Sequence, residues 1–231
     1  MPAKNVLKPY IEDGCYHIYN RGVEKRTIFQ DDQDYKVFLN YLKNCLEPPV
    51  KPEEKKIKIG NTVFTKLERL AKNFYQQIEL LVYCLMPNHF HLLVKQKSPR
   101  SIESFTRSLL TRHSTYFNKR YSRVGSLFQG TYKAILVEDE NYLLHLSRYI
   151  HLNPSYHNKD VKDTPLHLYY SSYGDYLGFR KSKWVKTGLI LPFFKSAQKT
   201  HLKDILSYQS FVENYLQDPA ELLGELTLEE T

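Results

Sequence analysis

The chain has 231 residues, of which 42% are hydrophobic and 25% charged, so it can bury a sizeable core and is neither a disulfide-held miniprotein nor disordered throughout. Its three cysteines lie far apart and form no Cys-x-x-Cys pair, which argues against a disulfide framework or a thiolate zinc site. No apolar segment resembles a signal sequence or a membrane span, and we therefore expect a cytoplasmic protein. The excess of 33 Lys and Arg residues over 25 Asp and Glu residues gives a net charge of +8, which favours an anionic partner, with nucleic acid ahead of a membrane surface.

The first predicted elements are a strand and a helix. Aromatic and β-branched residues at 15–19 predict a short strand, which an Asn-Arg-Gly turn follows. Asp31 and Asp32 stand where the N-cap of a helix is expected. Apolar residues then recur at helical spacing as far as Leu46, so we expect the helix to end there.

An insertion and a hairpin come next. Three prolines and a run of Lys and Glu at 47–61 cannot pack, so we interpret 47–76 as an exposed insertion that contains a short helix or hairpin at 64–74. The apolar segment 78–86 and the alternating segment 89–96 are separated by Pro-Asn. They predict two antiparallel strands joined by a tight turn.

The second half of the chain predicts a helix, a strand and another helix. Ser101 is the expected cap of a helix over 101–121. The alternating segment 127–137 predicts a fourth core strand. A third helix over 141–152 is expected to end before Pro154, because the residue before a proline disfavours the helical conformation.

The order of these elements predicts an α+β, ferredoxin-like fold. Its core would be a four-stranded antiparallel sheet with helices on one face plus one extra helix. We expect one domain over 1–178 and a partly helical C-terminal appendage over 179–231. In that appendage, 202–217 predicts a late amphipathic helix, and the acidic tail from Glu221 is expected to fray.

A His-x-His pair is the first candidate for chemistry. Because side chains alternate along a strand, His89 and His91 share one face while Phe90 points to the other. Two converging imidazoles can bind a metal ion, but an isolated pair is more often hydrogen-bonded or exposed. The metal interpretation therefore requires a third ligand.

The third helix offers a nucleophile and that ligand. Tyr149 and Asn153 are four residues apart and so lie on one helical face. A tyrosine hydroxyl beside a neutral oxygen donor suggests a nucleophile next to a metal ligand. On the residues alone, the alternative is that Tyr149 packs in the core and Asn153 ends the helix.

The second helix and the loop after it carry a basic, aromatic surface that we predict to contact DNA phosphates and bases. Its residues are Arg107, Arg112, Tyr116, Lys119, Arg120 and Arg123. The alternative is an ordinary solvated helix face. Tyr116 is also the main rival to Tyr149 as a nucleophile, but the residue four positions later is Arg120 and not a carbonyl-bearing side chain.

Several separated motifs occur in an order typical of one protein family. They are Tyr19 to Gly22, Met86 to Val94, Tyr116 to Asn118, Gly125 to Gly130, Tyr149 to Pro154 and Ser171 to Tyr173. Together they resemble the IS200-like single-tyrosine transposases, and within these the REP-associated tyrosine transposases. The resemblance covers roughly residues 15–178, which makes it far more specific than His-x-His alone.

This resemblance implies an HUH endonuclease that acts on single-stranded or hairpin DNA at hairpin-flanked repeats. By position, His89 and His91 would hold Mg²⁺ or Mn²⁺, and Asn153 would be the third ligand. Tyr149 would attack a phosphate and leave a 5′-phosphotyrosine and a free 3′-OH, after which strands are rejoined. Such enzymes work as monomers or homodimers.

Two other functions remain open, and parts of the sequence depart from the family pattern. Thr131 stands where relatives often have arginine, which puts the DNA contacts in doubt. The first alternative is a module of the same fold that binds nucleic acid without catalysis. The second is a metal-dependent hydrolase that uses activated water, for which Tyr149 would be dispensable.

Overall fold

The computed structural model describes residues 10–52, 54–60, 62–67, 70–157, 164–199 and 206–214. Within these residues the strands are β1 (Cys15–Arg21), β2 (Glu54–Ile59), β3 (Thr62–Leu67), β4 (Ile78–Met86), β5 (His89–Gln96) and β6 (Lys133–Val137). The α-helices are α1 (Asp32–Leu46), α2 (Ser101–Arg120), α3 (Glu140–His157), α4 (Tyr173–Tyr176) and α5 (Tyr208–Glu213). None of the helices in this part of the chain is long and apolar enough to cross a lipid bilayer.

Four strands form the central sheet in the order β4-β5-β1-β6, and each neighbouring pair is antiparallel. This is the ferredoxin-like arrangement, so the fold predicted from the sequence is confirmed. The register places Tyr19 of β1 opposite His91 of β5 on one side and opposite Lys133 of β6 on the other. These three positions therefore lie at the same level of the sheet.

The two faces of the sheet pack against different helices. On one face, Phe90 of β5 lies 5.6 Å, ring centre to ring centre, from Phe38 of α1, and Phe38 lies 5.1 Å from His113 of α2. On the other face, the ring of His91 contacts Tyr149 of α3. Two helices thus cover one face and the extra helix covers the other, as expected from the two-residue alternation of β5.

The predicted N-terminal cap is confirmed for α1 but not for α2. The carboxylate of Asp31 accepts the backbone N–H groups of Gln33 and Asp34, which satisfies two donors of the first turn. In α2 the prediction of Ser101 as the cap is wrong, because the cap position is Arg100, in a left-handed conformation. The Ser101 hydroxyl instead bonds the hydroxyl of Ser98 at 2.8 Å.

Three predicted elements differ in extent from those observed. The fourth core strand covers only 133–137, because Gly130 has a φ of +68° and the chain before it turns. The helix α3 continues through Pro154 to His157, since residues 151–154 are buried and a proline removes only one N–H donor. The 47–76 insertion contains the two-stranded ribbon β2-β3 over 54–67, whereas the short helix or hairpin was predicted at 64–74.

The described residues beyond 178 pack on the core. The ring of Trp184 stacks on Tyr83 of β4 at 5.4 Å, and the backbone N–H of Lys186 donates to the carbonyl of Leu80. Part of the predicted late helix is present as α5, while 202–205 and 215–217 lie outside the described residues. The acidic tail from residue 221 also lies outside them, and the domain boundary after residue 178 stays a prediction.

Candidate active site

The strand β5 presents two imidazoles to the face that α3 covers. His89 and His91 are 7% and 0% exposed, and their rings lie 5.1 Å apart at an angle of 87°. Phe90 between them points into the opposite face, where it packs against Phe38 and Phe128. The alternation of one short segment therefore separates the imidazoles from the apolar core.

The helix α3 brings the other two predicted residues to these imidazoles. The ring of Tyr149 meets the ring of His91 edge to face at 5.6 Å. One turn later, the Asn153 Oδ1 lies 3.2 Å from the His89 Nε2. The structure thus brings all four residues together, although their roles stay predictions.

The hydrogen bonds of His89 determine which group faces Asn153. The other ring nitrogen, Nδ1, lies 2.7 Å from the Asn88 Oδ1, which can only accept a proton. A neutral imidazole that donates from Nδ1 has its lone pair on Nε2, and that lone pair faces the Asn153 oxygen. Two acceptors about 3 Å apart are the spacing of neighbouring ligands around a small octahedral cation, so this pair fits a divalent ion.

His17 of β1 is a residue that the sequence predictions missed. Its Nε2 lies 2.9 Å from the His91 Nδ1, and the two rings stack at 5.1 Å. Burial lowers the pKa of His17 to about 3, so its ring is neutral. For His91 to bind a cation through Nε2, its Nδ1 proton must be donated to His17, which therefore fixes the His91 tautomer. The alternation of Cys15, His17 and Tyr19 in β1 would have placed His17 on this face.

A positive charge on β6 lies on the other side of Tyr19 from His91. The exposed Lys133 ammonium lies 5.6 Å from the ring centre of Tyr19, and the Tyr19 ring lies 5.9 Å from that of His91. Lys133 was not among the predicted site residues. A basic side chain on this face of the sheet favours an anionic ligand.

Tyr116, the rival nucleophile, lies on α2 at the opposite face of the sheet. Its hydroxyl donates to the buried Asp34 Oδ1 at 2.9 Å. The same carboxylate accepts the hydroxyl of Tyr121, the backbone N–H of Gln30 and the Nη1 of Arg120. Asp34 of α1 thus supplies a negative charge next to the basic segment, which has no acidic residue of its own between 105 and 133.

The remaining residues of the predicted DNA surface have local contacts. Arg107 pairs with Glu103 at 2.5 Å, and the Arg112 guanidinium stacks on the Tyr41 ring at 4.2 Å. Arg123 donates to the side-chain oxygen of Asn118. Lys119 is exposed. DNA binding by this surface stays a prediction.

The donor set for a metal is small. Among the described residues, no group of three or more His, Cys, Asp and Glu side chains is placed to hold an ion. The available donors are therefore two imidazoles and one amide oxygen, so water or phosphate oxygens would complete the coordination of Mg²⁺ or Mn²⁺. Such an incomplete protein ligand set is typical of a catalytic metal and not of a structural one.

Comparison with known proteins agrees with this geometry. Residues 52–153, which contain both histidines of β5 and both residues of α3, match the family model described as "Transposase IS200 like". The resemblance to the IS200-like transposases is confirmed. The match covers less than half of the chain and shows that this segment is similar to the IS200-like transposases.

One solved structure supports the fold of this chain. A REP-associated tyrosine transposase bound to a REP hairpin is 14% identical with a TM-score of 0.50, over 80% of this chain and 92% of that one. A Deinococcus radiodurans R1 protein, provisionally described as a transposase, is 14% identical over 62% of this chain and 93% of that one, but its TM-score of 0.36 supports no conclusion. Comparison with curated proteins finds no significant match.

Proposed function

We propose that this chain is a single-stranded DNA transposase in which Tyr149 is the nucleophile. The observation that carries the proposal is the convergence of His89 and His91 with Tyr149 and Asn153 on one face of the sheet. All four lie in the segment that matches the transposase family. One chain contains the whole set, so a monomer could cleave DNA without a residue from a second copy.

In the proposed reaction, the phenol oxygen of Tyr149 attacks the phosphorus of a phosphodiester. The bond from phosphorus to the 3′ oxygen breaks, the phenol loses its proton, and the departing 3′ oxygen gains one. The products are a 5′-phosphotyrosine and a free 3′-OH. Because the ester keeps the bond energy, a 3′-OH of another strand can attack it and rejoin DNA without ATP.

The residues around Tyr149 support its orientation for this attack. Tyr149 is 2% exposed, and the edge-to-face contact with His91 restricts its ring. His17 in turn restricts the ring of His91 through the 2.9 Å contact. Correct placement of a nucleophile accounts for a large share of enzymatic rate enhancement.

We further propose that His89, His91 and Asn153 hold Mg²⁺ or Mn²⁺. When bound, the ion would neutralise charge on the non-bridging oxygens of the scissile phosphate. The two facing acceptors, the His89 Nε2 and the Asn153 Oδ1, support this assignment. Lys133 would add a second positive charge for the DNA backbone.

The proposed substrate is single-stranded DNA that folds into a hairpin. A REP hairpin is the ligand of the structural relative with 80% coverage of this chain. Basic residues on α2 and in the loop after it, among them the exposed Arg107 and Lys119 and the half-buried Arg123, would contact its phosphates.

The test uses end-labelled hairpin DNA with single-stranded flanks, incubated with the protein and Mn²⁺ and run on a denaturing gel. We expect a covalent protein–DNA band with the wild type and none with Tyr149→Phe, while Tyr116→Phe keeps the band. Cleavage without an adduct would favour the hydrolase, and binding without cleavage the binding module.

A further inference from the structure

His151 lies between Tyr149 and Asn153 in sequence but on the other side of the helix. At 3.6 residues per turn, a side chain two positions away is rotated by about 200°. His151 is fully buried, and both of its ring nitrogens are hydrogen-bonded. Its Nδ1 lies 2.8 Å from the Tyr208 hydroxyl of α5, and its Nε2 lies 2.8 Å from the Ser172 Oγ.

These bonds continue into a network that connects four parts of the fold. The Tyr208 hydroxyl donates to the Ser147 Oγ at 3.1 Å, and the Ser147 hydroxyl donates to the carbonyl of Leu144. On the other side, the Ser172 Oγ accepts the backbone N–H of Tyr83 in β4 at 2.9 Å. The network thus joins α3 to α5, to the segment before α4 and to the sheet.

One set of proton positions satisfies every member. His151 donates from Nδ1 to Tyr208 and accepts at Nε2 from the Ser172 hydroxyl. Tyr208 and Ser147 then each donate onward, and Ser172 accepts from the backbone of Tyr83. A fully satisfied buried network allows little rotation or sliding of the helix, because any shift leaves a polar group without its partner.

Aromatic rings enclose the imidazole and limit its movement. Tyr173, Tyr176 and Tyr208 lie 5.2, 4.9 and 5.8 Å from the His151 ring, centre to centre. All three tyrosines are at most 1% exposed. Two of these rings come from α4 and one from α5, so the residues after α3 surround the outer side of this helix.

We propose that His151, Ser172 and Tyr208 are positioning residues that fix the rotation and axial placement of α3. Through the helix, they hold Tyr149 and Asn153 in register with His89 and His91. The inference rests on the proposed function, and it assigns a role in catalysis to residues beyond 153, where the family match ends. A displacement of about 1 Å at a reacting group can cost about a hundredfold in rate.

The test removes single hydrogen bonds of the network and keeps the packing. Tyr208→Phe deletes the hydroxyl next to the His151 Nδ1, and Ser172→Ala deletes the hydroxyl next to its Nε2. The matched control is His113→Gln, which alters an equally buried histidine of α2 that bonds the carbonyl of Ile28 at 2.9 Å. Each protein is studied well below its own unfolding midpoint, so that loss of folding does not contribute.

Three quantities are measured for each protein: the single-turnover rate of adduct formation at saturating hairpin DNA, the Kd for that DNA, and the Tm. We expect Tyr208→Phe and Ser172→Ala to lower the rate 10- to 100-fold with a Kd within about twofold of the wild type. The control is expected to lower the Tm at least as much and to keep the wild-type rate.

The inference is overturned if the two network variants keep the wild-type rate, or if the control loses as much rate as they do. In the first case the network contributes only stability, and in the second any destabilisation slows the reaction. A wild-type protein that forms no adduct contradicts the proposed function itself, and that result is distinct from both.

Discussion

The two faces of the central sheet use the same strands for different purposes. On the α1 and α2 face, Phe90 packs against Phe38 of α1 and against Phe128, which follows α2. On the α3 face, His89 and His91 from the same strand form a polar site with Tyr149 and Asn153. A two-residue period thus lets one strand of eight residues anchor a core and build a candidate active site.

Buried polar groups also differ between the faces. On the first face, the Asp34 carboxylate accepts hydrogen bonds from an arginine, two tyrosine hydroxyls and a backbone N–H. On the second face, the His89 Nε2 lies 3.2 Å from the Asn153 Oδ1, and both atoms are acceptors when the His89 proton is on Nδ1. The first arrangement is complete within the protein, whereas the second is suited to a bound cation.

The largest expected effect is the loss of an imidazole from the α3 face. His91→Ala should slow adduct formation about a thousandfold, because one cation ligand and the ring against Tyr149 are both removed. The Kd for hairpin DNA should change by less than about threefold, since phosphate contacts dominate affinity. Single-turnover gels and a binding titration measure both, and a rate within tenfold of the wild type would count against the site.

A large side chain removed from the other face should affect stability and not chemistry. Phe38→Ala deletes a fully buried ring of α1 and should lower the free energy of unfolding by about 3–4 kcal/mol. At a temperature where this variant is still folded, its rate of adduct formation should stay within about threefold of the wild type. Urea denaturation gives the first quantity. A hundredfold loss of rate would show that the two faces are coupled.

The pH dependence of stability provides a further test on the α1 and α2 face. Burial lowers the pKa of His113 to about 4, whereas an unfolded histidine titrates near 6.5. As the pH falls from 6.5 towards 4, the unfolded chain binds the proton first, so stability that is present above pH 6.5 is lost. Between pH 7 and pH 5 this residue should contribute a loss of about 2 kcal/mol.

Urea unfolding of the wild type and of His113→Gln at both pH values isolates that contribution. The wild type should lose about 2 kcal/mol more than the variant over this interval, because His17 and His151 are common to both proteins. Equal losses in the two proteins would mean that His113 is not neutral and buried as described.

The smallest effect is expected from the exposed surface of α2. Arg107→Gln breaks an exposed ion pair with Glu103, so stability should change by less than about 0.5 kcal/mol. If Arg107 contacts DNA, affinity should fall a few-fold and the slope of log K against log salt should decrease by about 1. The matched control is Lys36→Gln, which breaks the exposed pair with Asp32 on α1. Equal affinity of both variants for hairpin DNA would mean that Arg107 does not contact DNA.

Local periodicity predicted the fold and the common faces of the candidate residues, while the resemblance to the IS200-like transposases suggested their roles. The alternation of β5 and the four-residue spacing in α3 were enough to place His89, His91, Tyr149 and Asn153 on common faces. The same rule applied to β1 would have added His17, which pairs with His91.

Long-range partners could not be read from the sequence. The link between His151 and Tyr208 spans 57 positions, and that between Asp34 and Arg120 spans 86, so no local pattern connects them. The rule that a helix ends before proline failed at Pro154, because burial of the last turns of α3 outweighs one missing hydrogen bond.

The most direct test of the central claim is the identity of the tyrosine that becomes linked to DNA. The wild-type protein is incubated with hairpin DNA and Mn²⁺, the adduct is digested with nuclease and trypsin, and the modified peptide is fragmented in a mass spectrometer. We expect the nucleotide remnant in the peptide covering 149–159, on Tyr149 and not on Tyr156. A remnant on Tyr116, or on any other residue, would contradict the assignment of the α3 face as the site of cleavage.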